Sequence, residues 1–89
     1  MRRRTYYFSG NVQGVGFRFT AQHIAKKHPV SGFVRNLADG RVELVIEGSD
    51  AAMDAVLHEL QEQMEGNISK VQTDTSEGTG EYGGFGIKH

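Results

Sequence analysis

The sequence contains no cysteine among its 89 residues. That absence excludes disulfide bonds, thiolate nucleophiles and thiolate metal ligands from the chemistry of this chain. The chain also lacks an apolar run long enough to span a membrane, and the segment after Arg2–Arg4 is too short and polar for the apolar region of a signal peptide. We therefore expect a cytoplasmic protein with no membrane partner, in which the basic triplet is a solvated terminus.

The chain also has little net charge, with a formal value of −1 at neutral pH. A balance of this kind creates no overall field that would hold nucleic acid, so no nucleic-acid partner is expected. Zinc sites need tightly clustered ligands, and the four histidines show no such spacing, so no metal site is expected. The length has room for one domain, 1–89, and a monomer is expected because nothing in the sequence demands an oligomer. The histidines are His23, His28, His58 and His89.

The first third of the chain changes from strand-like to helix-like periodicity. Thr5–Ser9 is rich in aromatic and hydroxyl side chains and predicts a strand, and the three glycines of Gly10–Gly16 predict a loop. A helix begins at Phe17, because apolar residues then recur at helical spacing, and Pro29 stops it. The stripe consists of Phe17, Ala21, Ile24, Ala25 and His28.

A predicted hairpin follows. Val30–Arg35 and Arg41–Glu47 have strand-like composition, and Asn36–Gly40 between them contains the Asp-Gly pair typical of tight hairpins. The second strand alternates between apolar and charged residues, which predicts one covered face and one solvated face. We expect its acidic side chains, Glu43 and Glu47, on the solvated face.

The last part of the chain predicts a helix, a strand and a short edge strand. Ser49 or Asp50 caps the second helix, and its apolar stripe ends before Gly66. The remaining segments are a weaker strand over Ile68–Thr75, a polar, glycine-rich connection over Ser76–Gly84, and an edge strand over Phe85–Ile87. The stripe consists of Met53, Val56, Leu57, Leu60 and Met64.

The order of elements is therefore β-α-β-β-α-β followed by a short strand. Two amphipathic helices on one face of an antiparallel sheet make a two-layer α+β sandwich, and the split β-α-β pattern indicates the ferredoxin-like arrangement. In that arrangement strands one and two are parallel, with strand three between them. Their carboxyl ends then share one edge of the sheet, about 10 Å apart.

The loop and helix start over Gly10–Arg18 have the composition of an anion site. Backbone N–H groups converge where a helix leaves its first amides unpaired, and glycine lets the backbone approach an anion closely. Arg18 adds a planar fork of donors that suits two phosphate oxygens. The alternative is a plain glycine-rich connector beside a surface arginine, and loop composition alone favours that alternative.

Two motifs resemble one known family. Val12–Arg18 is similar to the signature loop of acylphosphatases, and Gly32–Asn36 followed by Asp39–Val42 resembles their second motif. The two motifs occur in the family's order and spacing, and the resemblance covers essentially the whole chain.

The resemblance implies the sandwich fold and the hydrolysis of a small-molecule acyl phosphate, with no cofactor. It implies that Arg18 and the loop amides bind the phosphate, and that Asn36 positions the attacking water. The loop residues are Gln13, Gly14, Val15, Gly16, Phe17 and Arg18.

Three other interpretations remain open at this point. Tyr82–Ile87 faintly imitates the aromatic strand of RNA-recognition domains, which share this architecture. Gly78–Gly83 matches the G-x-G-x-x-G pattern of dinucleotide-binding loops, but neither an apolar strand nor a helix flanks it. The chain could also be a non-catalytic relative, such as the acylphosphatase-like domains fused to carbamoyl-transferring proteins.

Overall fold

The computed structural model describes residues 1–89, which form five strands and two helices in the predicted order. The strands build one sheet with the order β4-β1-β3-β2-β5, and both helices cover the same face. This confirms the ferredoxin-like two-layer sandwich. The elements are β1 Arg2–Gly10, α1 Phe17–Ala25, β2 Ser31–Asn36, β3 Val42–Gly48, α2 Asp50–Gln63, β4 Ile68–Glu77 and β5 Phe85–Lys88.

The central strand β3 fixes where β1 and β2 end. It is antiparallel to both, so β1 and β2 run in the same direction, as the sequence predicts. Val42 is the register partner of Phe8 on one side and of Asn36 on the other. The last residues of β1 and β2 are therefore separated by two strand spacings, which is about 10 Å. The sheet is not wholly antiparallel, because the edge strand β5 pairs with β2 in parallel.

The core lies between the sheet and the helices. Alternate residues of the strands supply one half of it, and the apolar stripes of the helices supply the other half. The rings of Phe8 and Phe17 are 5.0 Å apart, which joins the end of β1 to the start of α1. Neither helix combines the length and apolar character that crossing a membrane requires. The central cluster includes Tyr6, Phe8, Phe17, Ile24, Val34, Leu44, Ile46, Met53 and Leu60.

The first helix is shorter than predicted. It ends at Ala25, and His28 lies in the turn that follows, where its ring contacts the Glu59 carboxylate at 3.2 Å. The inclusion of His28 in the apolar stripe was therefore wrong. A residue directly before a proline is disfavoured in helical conformation, which excludes His28 from the helix. The chain between Ala25 and Pro29 forms tighter turns instead, in which the N–H of His28 donates to the carbonyl oxygen of Ala25 at 3.1 Å.

The prediction of a solvated basic terminus is also wrong. Arg2–Arg4 forms the first part of β1 rather than a tail. Arg3 donates to the Glu47 carboxylate at 2.8 Å, and Arg4 pairs with Asp50 and Asp54 at the start of α2. These basic side chains have acidic partners in the fold, which a count of local charge does not show.

The acidic residues of β3 correct the sequence analysis in a second way. Glu43 and Glu47 do face away from the helices, but both are buried, with only 1% of Glu47 exposed. The glycine-rich segment before β5 folds over Glu47, whose carboxylate accepts hydrogen bonds from the backbone N–H groups of Thr79 and Gly80 at 3.0 and 2.9 Å. Arg35 donates to Glu43 at 2.6 Å. The second face of the sheet is therefore partly covered by chain that the strand pattern cannot reveal.

These hydrogen bonds hold Glu47 in its ionised form. Burial raises the pKa of its carboxyl group, but the N–H groups of Thr79 and Gly80 and the Arg3 guanidinium outweigh burial. They lower the pKa from 4.5 to about 2. A depressed pKa in the folded state contributes stability above pH 4.5, and this contribution is lost as the pH falls from about 4.5 to about 2.

Glu47→Gln should therefore remove part of the acid sensitivity of the fold. We expect the melting temperature of the wild type to fall between pH 4.5 and 2, and the variant to show a shallower fall from a lower starting value. Thermal unfolding followed by circular dichroism across this range measures both. Glu65→Gln is the matched control, because Glu65 is exposed and forms no salt bridge, and it should keep the wild-type slope. Equal slopes for Glu47→Gln and the wild type would contradict this account.

A glycine near the start of β2 makes a second test possible. Gly32 has φ +142°, and a Cβ there would lie 1.9 Å from the carbonyl oxygen of Val45. Gly32→Ala should destabilise the protein by about 3 kcal/mol or more, because both backbone strain and a backbone clash result. Gly86→Ala is the matched control in the neighbouring strand, with no atom within 4 Å of the added Cβ. It should be neutral or stabilising by up to about 1 kcal/mol. Urea unfolding compares the two, and similar losses would refute the assigned clash.

Candidate active site

The loop between β1 and α1 is anchored at both ends and exposed between them. Val12 and Phe17 are buried, with 1% and 2% of their surfaces exposed, whereas Gly14, Val15 and Gly16 are exposed. Gly14 and Gly16 have φ values of +76° and +77°. Only glycine adopts this left-handed conformation without strain, so the loop turns tightly into the helix. The backbone of the loop is therefore held in place while its outer surface stays open.

The amides of this loop and of the first helical turn are unpaired. The first helical hydrogen bond runs from the N–H of Thr20 to the carbonyl oxygen of Gly16 at 3.0 Å. From residue 13 to residue 19, no backbone N–H donates to a protein acceptor. Gly16 is the N-cap and has no side chain to accept these bonds, and no acidic residue lies in the first turn. The positive end of α1 is thus uncompensated, which suits an anion.

Arg18 differs from the other five arginines of the chain. Each of the others forms a salt bridge with an aspartate or glutamate, but Arg18 forms none. Its Nη1 lies instead 3.3 Å from Nδ1 of His89. A permanently charged guanidinium without a carboxylate partner therefore stands beside unpaired amides. This combination favours a doubly charged oxyanion.

Asn36 reaches the same place from the end of β2. It is half-buried, and its Oδ1 is the single buried side-chain polar atom in the structure that lacks a hydrogen-bond partner. Leaving a buried acceptor unpaired costs about 1–3 kcal/mol. Native structures seldom tolerate this cost without a function, so Asn36 requires a donor that the protein does not supply.

A cavity of about 180 Å³ joins these groups. It brings together five of the predicted site residues. Val12, the first residue of the signature-like loop, and Phe19, which the sequence analysis did not single out, complete its lining. Two larger cavities, of about 530 and 680 Å³, lie at the opposite end of the strands. Glu47 lines the first and Glu77 lines the second, and these carboxylates disfavour an anion there. The five predicted residues in the small cavity are Gly14, Gly16, Phe17, Arg18 and Asn36.

Two predicted loop residues do not line the cavity. Nε2 of Gln13 donates to the carbonyl oxygens of Leu37 at 2.8 Å and Arg41 at 3.0 Å. The side chain of Gln13 thus ties the loop to the hairpin that follows Asn36. Val15 lies on the outside of the loop, with 39% of its surface exposed. Only their backbone amides remain candidates for contact with an anion.

The competing signals from the sequence acquire structural explanations. Tyr82 is half-buried, and its ring packs against Phe33 at 5.8 Å, so it does not form an open platform for bases. The Gly78–Gly83 motif precedes no helix, and its amides bind the Glu47 carboxylate instead of a phosphate. No three histidine or carboxylate side chains converge as metal ligands.

Comparison with known proteins gives one consistent family. The family model described as Acylphosphatase matches residues 4–87. The acylphosphatase of Paenarthrobacter aurescens is 42% identical over 86 residues, which cover 96% of this chain and 92% of that protein.

Solved structures agree with this result. The crystal structure of acylphosphatase from Bacillus subtilis matches with a TM-score of 0.92 and 29% identity, covering 100% of both chains. Full-length HypF, in its phosphate- and nucleotide-bound form, matches with a TM-score of 0.86 and 28% identity. That match covers 99% of this chain but only 12% of HypF.

Proposed function

The chain belongs to the acylphosphatase family and hydrolyses the carboxyl–phosphate bond of acyl phosphates, and from this premise we propose that Arg18, the loop amides and Asn36 carry out the reaction. The observation that carries the proposal is the shared cavity. An arginine without a carboxylate partner, unpaired amides and a buried amide oxygen without a donor all border the same 180 Å³. Its volume exceeds the roughly 30 Å³ that one water occupies in the liquid, which leaves room for a phosphoryl group beside it.

In this proposal the phosphoryl group sits at the start of α1. The backbone N–H groups of residues 13–18 and the guanidinium of Arg18 donate to its oxygens, and the positive end of the helix stabilises their charge. These donors are in place before the substrate arrives. Donors fixed in this way stabilise charge in the transition state without reorganisation, which is the largest contribution available to a phosphoryl-transfer site without general acid–base groups.

Asn36 acts on the nucleophile. Its Oδ1 accepts a hydrogen bond from the attacking water and places the water oxygen in line with the phosphorus. The bond from water oxygen to phosphorus forms while the bond from phosphorus to the carboxyl oxygen breaks, which releases a carboxylate and inorganic phosphate. An amide does not act as a base at neutral pH, so the proton of the water passes to the phosphate or to solvent.

The leaving group explains why the site needs no acid and no metal. The parent carboxylic acid has a pKa of about 4, so the carboxylate departs without protonation. What remains is the positioning of water and the neutralisation of phosphoryl charge. We therefore propose a reaction without a metal ion or cofactor.

Three further statements stay predictions from the sequence. They are that residues 1–89 form a single acylphosphatase-like domain, that this domain acts as a monomer, and that it works in the cytoplasm.

The alternative to a hydrolase is a non-catalytic acylphosphatase-like domain. Hydrolysis of benzoyl phosphate at neutral pH, measured beside a phosphomonoester and repeated with a chelator, separates the two. We expect turnover of benzoyl phosphate and none of the phosphomonoester, and we expect the chelator to leave the rate unchanged.

Arg18→Ala should abolish measurable turnover of benzoyl phosphate and weaken inhibition by inorganic phosphate. A hydrogen bond to a charged group contributes about 1.5–3 kcal/mol in binding, and more where charge develops in the transition state. Arg18→Lys should restore little, because an ammonium does not replace a bidentate fork. Arg2→Ala, which removes an exposed arginine with its own acidic partner, is the control and should keep full activity. Near-normal turnover by Arg18→Ala would show that the loop is a connector.

Asn36→Ala should leave phosphate inhibition nearly unchanged and lower kcat and kcat/KM together, by about 100-fold or more. The reason is that Asn36 contacts the water and not the phosphate. The variant also removes the unpaired acceptor Oδ1, so its melting temperature should not fall. Steady-state kinetics and thermal unfolding measure these effects. A raised KM with unchanged kcat would make Asn36 a binding residue instead.

A further inference from the structure

Two exposed apolar side chains lie in the loop between β1 and α1 and in the first turn of α1. Only three large hydrophobic residues in the chain are substantially exposed, and two of them, Val15 and Phe19, lie within three residues of Arg18. Phe19 is 71% exposed. The third, Met1, lies at the opposite end of the strands. Isolated exposed apolar residues are common, but here they coincide with the candidate site.

The core does not account for Phe19. Phe17 is 2% exposed and packs against Phe8, which defines the buried side of α1. Two residues further along a helix correspond to a rotation of about 200°, so Phe19 leaves the core side. Yet Phe19 lines the same cavity as Arg18 and Asn36. An aromatic residue there exposes apolar surface and is a weaker helix former than many polar residues, so packing and helix propensity both leave it unexplained.

The lining of the cavity indicates what Phe19 contacts. The proposed function assigns the loop amides, Arg18 and Asn36 to the phosphoryl group and the attacking water, and Val12 and Phe17 are buried. The ring of Phe19 is the exposed apolar surface that remains in the lining, so the acyl part of a substrate passes against it as it leaves the cavity. An aromatic face of this kind contacts another aromatic or apolar group favourably and gains little from a methyl group.

We propose that Phe19 is the specificity-determining contact for the acyl group, and that the enzyme prefers acyl phosphates with an aromatic or bulky apolar acyl part. This inference rests on the proposed function, because it takes the phosphoryl group to lie at Arg18. It adds a second recognition element, separate from the anion site.

Kinetics with two substrates test the proposal. The quantity to compare is the ratio of kcat/KM for benzoyl phosphate to kcat/KM for acetyl phosphate, because a change in this ratio between variants cancels the intrinsic reactivity of each substrate. Phe19→Ala should lower the ratio about three- to tenfold, mainly through benzoyl phosphate, and should leave inhibition by inorganic phosphate unchanged. Phe19→Leu should lie between the two, because it keeps apolar bulk but not the ring. His23→Ala alters an exposed residue of the same helix outside the cavity and should change neither substrate.

Each other outcome overturns the proposal in a recognisable way. An unchanged ratio in a folded Phe19→Ala variant shows that the ring does not contact the acyl group. A parallel fall for both substrates, with weaker phosphate inhibition, shows that Phe19 supports the loop instead. If the wild type hydrolyses neither substrate, the proposed function itself fails. Thermal unfolding of each variant confirms that the comparison is made between folded proteins.

Discussion

The packing of Phe17 against Phe8 determines where the chain leaves the core and begins to offer backbone donors. Phe8 is close to the end of β1, and Phe17 is the first residue of α1, so this one contact fixes both ends of the connecting loop. The loop between β1 and α1 must then cover a short distance with six residues, and it does so by turning through glycines with positive φ. Helix α1 starts at Phe17, so its first unpaired amides and Arg18 lie directly beside the loop. The position of the proposed anion site is thus a consequence of core packing.

The molecule satisfies its polar groups almost everywhere except at this site. Arginines elsewhere pair with carboxylates, and Ser49 caps α2 by accepting a hydrogen bond from the N–H of Ala52 at 3.1 Å. Helix α1 has no such cap, Arg18 has no carboxylate, and Oδ1 of Asn36 has no donor. The stabilisation that a helix cap, a salt bridge and a hydrogen bond would give is therefore missing at three places, and all three border one cavity. Such a concentration of unmet hydrogen bonds is typical of a site that a ligand completes.

The sequence predicted what depends on local pattern and missed what depends on distant chain. Alternation along β3 and the stripes of the helices fix the order of elements and hence the common edge of β1 and β2. The burial of Glu47 was missed because Thr79 and Gly80, its partners, lie more than thirty residues away and have no strand pattern. Phe19 was also missed, although a signal existed: an aromatic two residues after the buried Phe17 must leave the core side of the helix. The tie between Gln13 and the hairpin left no signal, because glutamine is equally at home in an open loop.

The covered second face of the sheet also bears on the site, through β5. Glu47 anchors the segment that precedes β5, and β5 then runs parallel to β2 in the register Gly32 with Phe85 to Arg35 with Lys88. Because the two strands are parallel, the end of β5 lies beside the end of β2, where Asn36 stands. His89 directly follows the last residue of β5, and its ring contacts Arg18. The buried carboxylate of Glu47, at one end of the strands, therefore helps to hold β5, which leads to the proposed anion site at the opposite end of the strands. The glycine-rich segment, which in sequence resembles a loose connection, is consequently part of the framework that supports the site.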